Sequence, residues 1–376
     1  MKQVSNYKID KSFIFFTILF LFISVFTIYS AEVLSGDKPI LYIKQLLWYG
    51  AGTILILFIM TIKNNFLIQK SFIFYILGNI ILILLLLFAR PINEAKCWFE
   101  IPGLGTVQPS EFMKIILILV LSKMIDDFHK KHVNPTNKEE LIFLLKVGIV
   151  VFIPSFLTFL QPDTGIVLIY LLITIIMLFI AGIRLRWFLI LFGMIFSCVL
   201  LVIVIYFKNQ DLFIDLFGTS FFLRVDRLLD WSNKSGFQLE HGLYSIGSAG
   251  FFGHGFLNTP LYFPEAHTDF IFAVYASNFG LFGSLFLLVL ILCFDLKLIK
   301  LAFKSKTNIY KYITAGIIGM LIYQQFQNIG MTFGVMPITG ITLPLISYGG
   351  SSLLSYMIML GILFNISNEI LKYHNT

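Results

Sequence analysis

About ten apolar runs interrupt this chain at nearly regular intervals, and no other feature limits its fold as tightly. They lie near 13–30, 41–61, 71–89, 111–126, 141–160, 164–182, 187–207, 269–296, 309–332 and 345–367. Runs of roughly 17 to 25 apolar residues match the thickness of a bilayer. Inside hydrocarbon only a helix or a closed barrel satisfies its own backbone. The runs therefore predict an all-α integral membrane protein: one polytopic domain over 1–376, about ten transmembrane helices, and a large extracytoplasmic loop at about 208–268 between helices 7 and 8. The fourth run is short and charged at its start. Composition agrees, since 58% of residues are hydrophobic and 12% charged, too little charge to cover a soluble surface.

Charge then orients the chain. The net charge is +7, but the basic residues are scattered between apolar runs, which fits membrane orientation and argues against nucleic acid as a partner. Lys2, Lys8 and Lys11 precede the first run as in a secretory signal, yet that run is too long for one and reads as an uncleaved first helix. Lysine and arginine placement puts both termini in the cytoplasm. The connections at 90–110, 208–268 and 333–344, with the tight Gln161–Gly165 turn, then open on the outer face. The strip Asp126–Glu140 on the inner side reads as a solvated loop. Cys198 and Cys293 lie in apolar runs and Cys97 in a loop, so no disulfide framework is expected.

The 208–268 connection is too long to be structureless. Arg224, Asp226, Arg227, Asp230 and Trp231 fall at near-helical spacing and predict an interfacial amphipathic helix, followed by a glycine-rich tract at 247–255. At the end of the loop, Glu265, His267 and Asp269 fall within five residues, just where the eighth run begins. An acid at that border is partly desolvated and still reachable from water, which makes it a candidate site. Equally, Thr268 or Asp269 could simply cap the helix.

Three further clusters invite the same comparison. In Gln108-Pro-Ser-Glu111 with Lys114, Pro109 and Ser110 start a helix, and Glu111 and Lys114 share a face. They form either an internal ion pair or a site for an anionic headgroup. In Gln161-Pro-Asp163, the acid either caps the next helix or joins the site. In the run ending Ser347-Tyr-Gly349-Gly350-Ser351-Ser352, small residues at a helix N-terminus suit phosphate binding or close helix packing. The six histidines are dispersed, and no Walker loop or GxSxG elbow occurs.

Together Gln108–Glu111, Gln161–Asp163, Pro264–Phe272 and Pro337–Ser352 resemble the motifs of the SEDS family of RodA/FtsW-type proteins, in order and at family spacing. The Asn328–Met331 run leans towards the RodA-like branch. The resemblance implies a peptidoglycan glycosyltransferase that polymerises lipid II at the outer face of the bacterial plasma membrane, in cell elongation or division. It implies Asp269 as the catalytic residue and a class B penicillin-binding protein as partner. Substrate-binding residues would be Glu111, Lys114, Asp163, His267, Glu265, Arg224, Arg227, Ser347, Gly349, Gly350 and Ser351. A divalent cation, Mg2+ or Mn2+, bridging Asp269, Glu111 or Asp163 to the pyrophosphate of that lipid would serve the same chemistry. Two positions depart from the family pattern. Cys97 replaces a usual arginine, leaving Lys96 as the nearby cation, and Ser277-Asn278 replaces a glutamate pair. The competing readings are a lipid II flippase, and a scaffold that only positions the penicillin-binding protein.

Overall fold

The helices begin and end where local chemistry dictates. Asp10 accepts the Ser12 N–H (3.1 Å) to start α1 (Lys11–Ser35), and Gly36, at φ 72°, ends it. The buried Glu32 carboxylate reaches across the turn and takes the N–H groups of Ile40 (2.7 Å) and Tyr42 (3.0 Å). It thereby satisfies the free donors of α2 (Leu41–Ile62). Short α3 (Asn64–Gln69) leads to α4 (Ser71–Phe88). A small hairpin follows, β1 (Phe99–Ile101) antiparallel to β2 (Gly105–Val107), with Phe99 opposite Val107. Pro109 then opens α5 (Pro109–Lys131) at the position where its missing N–H does no harm. Thr136 and Glu139 form a reciprocal capping box for α6 (Asn137–Leu160). The chain continues through α7 (Thr164–Ile180), α8 (Leu185–Lys208), α9 (Gln210–Phe217), α10 (Phe237–Gly247), α11 (Ile271–Lys304), α12 (Asn308–Thr332) and α13 (Gly350–Tyr373). The structure, a computed structural model, describes residues 7–36, 40–91, 96–101, 105–219 and 236–373.

Each of the ten apolar runs corresponds to a helix of 17 residues or more. Seven of them, α1, α2, α4, α6, α8, α11 and α13, are long and apolar enough to cross a membrane by length and composition. The apolar α7 is shorter, and α5 and α12 are more polar. These last two carry buried Glu111 and Lys114, and buried Gln324, Gln325, Gln327 and Asn328, respectively. Their polar groups face protein rather than lipid, which is where such groups are tolerated.

Helix α13 is the central post: 83% of its apolar stretch is buried, against 6% for α8 at the periphery. It packs along α2 and α5, and Phe13 sets its ring edge against Phe364 (5.4 Å) and Phe294 (6.4 Å), joining α1 to α13 and α11.

Some boundaries depart from the apolar runs. The last helix begins at Gly350 rather than 345, because Leu343–Ser347 coils into its own turn, with Leu345 at φ 64°. Helix α11 breaks at Gly280 (φ 65°), and the glycine-rich tract docks into that break. His254 N–H donates to Ser277 O (2.9 Å) and Leu281 N–H to Gly250 O (3.0 Å). A β-carbon at Gly253 would stand 2.2 Å from Asn278 O, so only glycine permits this approach. The departing pair takes part: Asn278 bonds Ser30 (2.6 Å) and Thr259 (3.0 Å), and His254 Nδ1 meets Ser277 Oγ (3.1 Å).

The expected solvated strip at 126–140 is instead mostly helix, and Glu140 is buried. It accepts from the Trp187 indole (2.8 Å) and pairs with Arg184 (3.5 Å) and Arg186 (3.6 Å), fixing α6 to the start of α8. The expected interfacial helix around Arg224–Trp231 lies outside the described residues.

Candidate active site

The motifs scattered along the chain converge on one cleft of about 530 Å³. Its wall is built from the Cys97–Gln108 hairpin, the α6–α7 turn, the segment before α11, the α12–α13 connection and the start of α13.

Asp269 is half-buried on this cleft and does not cap α11, whose first turn starts behind Phe270 without a side-chain cap. The capping alternative therefore fails, and the carboxylate is left facing the cleft. Burial, reinforced by the negative charges of Glu265 and Asp163, pushes Asp269 up to about 7. Its backbone is held from below. Asn328 Nδ2 donates to Asp269 O (2.8 Å) and to Ile341 O (2.7 Å), tying the turn that carries Asp269 to the broken α12–α13 connection. Gly340, at φ 70°, brings that connection close. A β-carbon there would stand 3.5 Å from Asp269 Oδ2.

Asp163 both caps α7 and lines the cleft. One oxygen caps α7 through Ile166 N–H (3.1 Å), and the other accepts from Gln108 Nε2 (2.6 Å) at the cleft. Burial, with Glu111 adding to it, pushes Asp163 up to about 6 against the opposing Ile166, Lys114 and Gln108 contacts. Glu111 lines the cleft and pairs with Lys114 at 2.6 Å, one turn apart on α5. Lys114 itself is 0% exposed and stands over the Tyr356 ring (5.1 Å). Of the two readings of this pair the structure shows the internal ion pair, with the ammonium buried beside Glu111. Ser110 does not cap α5 either; Gln108 occupies that position.

The glycine and serine cluster serves packing and also reaches the cleft. Gly350 abuts the Trp48 indole, where a β-carbon would lie 2.6 Å from Cε2. Ser351 Oγ accepts from Gln108 N–H (2.8 Å), and Gly349, Gly350 and Ser351 all line the cavity. Ser347 does not. Its buried hydroxyl donates to Thr268 O (2.6 Å) and accepts from Leu343 N–H (2.8 Å), a structural role in place of the expected substrate contact. Glu265 lines the cleft and bonds Thr268 Oγ1 (2.6 Å). His267 sits behind it, its carbonyl taking Tyr348 N–H (2.9 Å). Arg224 and Arg227 lie outside the described residues. Cys97 at the arginine position is buried, its thiol pushed up to about 12 by burial and donating to Gln161 O (2.7 Å). Lys96 turns away to Leu86 O (3.3 Å).

A cation would need several free carboxylates together. Among the described residues no group of three or more His, Cys, Asp or Glu side chains is placed to hold one. Asp163 and Glu111 already have the partners named above, so the donor set does not fit a prebuilt ion site.

Motif reasoning assigned no site role to Trp48, Gln324 or Asn328. For the last two a signal was available as four amides, Gln324, Gln325, Gln327 and Asn328, inside an apolar run. Each amide nitrogen donates to another part of the protein: Tyr356 Oη (2.9 Å), Asp295 (3.2 Å), Pro337 O (2.7 Å) and the Asp269 and Ile341 carbonyls.

A helical bundle with a carboxylate-lined cleft at one end, built from broken helix connections, defines a polytopic membrane protein with an enzyme-like site. The chain belongs to the FtsW/RodA/SpoVE family of cell cycle proteins, whose model matches residues 10–372. It is 32% identical over 97% of its length to 92% of the probable peptidoglycan glycosyltransferase FtsW of Bacillus subtilis (strain 168). Its fold matches a chain of a structure described as coordinating polymerization and crosslinking in a peptidoglycan synthase complex. That match has a TM-score of 0.78 and 25% identity, covering 96% of this chain and 98% of the other. It also matches the Thermus thermophilus rod shape determining protein RodA, with a TM-score of 0.70, 25% identity and 98% of each chain covered. Both FtsW and RodA are among its relatives, so the RodA-like leaning of Asn328–Met331 does not separate the branches.

Proposed function

We propose that this protein is a peptidoglycan glycosyltransferase that polymerises lipid II at the outer face of the bacterial plasma membrane, beside a class B penicillin-binding protein. One observation carries the reading: the Asp269 carboxylate, not used as a cap, faces a cleft with its affinity for protons raised to about 7. A general base works best with a pKa near the working pH and contributes roughly 10²–10⁴-fold. Membership of the family and the catalytic names of its relatives support the same chemistry.

In this mechanism Asp269 removes the proton from the 4-hydroxyl of the acceptor sugar. The oxygen attacks the anomeric carbon of the donor, and the bond to pyrophosphate breaks, releasing undecaprenyl pyrophosphate. Direct displacement with a single base inverts the α-linked donor to a β-1,4 bond. Gln108, Glu111 and Asp163 shape the wall opposite, and the first amides of α13 at Gly350–Ser352 offer N–H groups to the departing pyrophosphate.

The test is strand synthesis by purified protein supplied with lipid II. Wild-type protein makes polymer and Asp269→Asn does not. Polymer formed by Asp269→Asn at the wild-type rate would overturn the assignment.

A further inference from the structure

Gln324 is one helical turn before Asn328 on the same face of α12, is 1% exposed, and lines the cleft. Its amide nitrogen is turned to Tyr356 Oη (2.9 Å), which fixes the side chain. Its carbonyl oxygen is buried and without a partner among the described residues. A buried acceptor without a partner calls for an explanation, and for one on a cleft-lining residue a ligand donor supplies it. The neighbouring acids do not supply a donor. Glu111 is held by Lys114, and Asp163 by Gln108 and Ile166. Apolar surface stands in the same cleft, from the buried side chains of Ile166 and Ile341 and from the Trp48 indole.

We infer that Gln324 Oε1 and this apolar surface form a subsite for the 2-acetamido group of an N-acetylated sugar. An amide N–H can only donate, so it needs an acceptor such as this one. The acetyl methyl needs an apolar surface and finds it at Ile166, Ile341 and Trp48. A hydroxyl in the same place would satisfy the oxygen but leave the apolar surface unfilled. The subsite rests on the glycosyltransferase reading and adds the feature of the substrate that is recognised. Gln324 is a specificity residue and takes no proton.

The experiment is competitive binding, read by native mass spectrometry of the full chain in lipid nanodiscs. The probes are two undecaprenyl-pyrophosphoryl disaccharides, one carrying 2-acetamido groups and one carrying 2-hydroxyl groups. Wild-type protein is expected to prefer the acetamido probe by roughly ten-fold or more, the range that a small apolar group gains from an apolar surface. Gln324→Met, of similar size but without a carbonyl acceptor, should bind the acetamido probe at least several-fold more weakly than wild type, because the amide N–H loses its partner. Gln324→Glu, which keeps an acceptor, should retain the preference. No preference in the wild type, or an unchanged affinity of Gln324→Met for the acetamido probe, overturns the subsite. Polymerisation is measured separately. A preference without polymer leaves the subsite standing and removes the transferase reading, and polymer without a preference does the reverse.

Discussion

Asn328, fully buried on α12, bonds the main-chain carbonyl of Asp269 at 2.8 Å with the same amide nitrogen that bonds Ile341 at 2.7 Å. A buried side chain thus sets the height of the proposed base by holding its backbone. It also clamps the Gly340-containing connection beside that base. The polar atoms that position the site therefore come from a helix whose sequence reads as a membrane run.

Asn328→Leu should lower the polymerisation rate by roughly ten- to hundred-fold, because it strands two carbonyls that each lose a bond of about 1 kcal/mol net. Since the side chain never touches substrate, kcat should fall with little change in KM. The pH at half-maximal rate should also move, because the Asp269 carboxyl shifts relative to Glu265 and Asp163. Steady-state kinetics at several pH values test this.

The pH dependence of wild-type protein follows from Asp269, held near 7 by burial and by its acidic neighbours. Only the ionised form accepts a proton, so the rate should rise as pH climbs through about 7 and level off above it. Stability runs the other way. A carboxyl whose folded value is raised penalises the folded state once it must ionise, so this penalty is absent below the unfolded value and grows as pH rises towards 7. Asp269→Asn should therefore melt at higher temperature than wild type at pH 8, and the gap should close near pH 4.

Lys114→Met should destabilise the fold by about 3–5 kcal/mol, the penalty for leaving Glu111 buried and uncompensated. The double variant Lys114→Met with Glu111→Gln should recover much of that loss, since it removes both charges. Thermal unfolding of the two variants in detergent gives the comparison. Equal melting temperatures would show that the pair does not couple.

Gly340→Ala places a side chain at φ 70° and 3.5 Å from Asp269 Oδ2. The left-handed conformation costs an L-residue roughly 1–2 kcal/mol. The larger effect should be on turnover, because the added methyl crowds the carboxylate on the side facing the cleft. Activity should drop at least several-fold while the protein still purifies as a folded species.

Most of the helices were legible before any coordinates, because bilayer-length apolar runs leave the backbone little choice. The least secure run, at 111–126, became a 23-residue helix, Pro109–Lys131, since its charges pair inward. The four motifs were legible too, as breaks of proline, glycine and acid between runs. The depth of Lys114 and of Ser347 was not legible, because sequence gives a residue's face but not its depth: one is sealed under Glu111, the other bonded to Thr268 and Leu343. Glu140 was misjudged for the same reason, as its partners Arg184, Arg186 and Trp187 lie more than forty residues further along the chain.

By itself, then, the order of residues determined that this chain is helical, how its apolar stretches are divided, and which acids stand at their borders. Those properties follow from local periodicity and from the rule that backbone in hydrocarbon must bond to itself. Only the tertiary structure decided that Asp269 faces the cleft rather than capping the helix. It alone brought Gln108, Asp163 and Gly340 around the same cleft and turned the amides of α12 into its supports. Burial and hydrogen-bond pairing arise between segments tens to hundreds of residues apart, and no local pattern encodes which of them will meet.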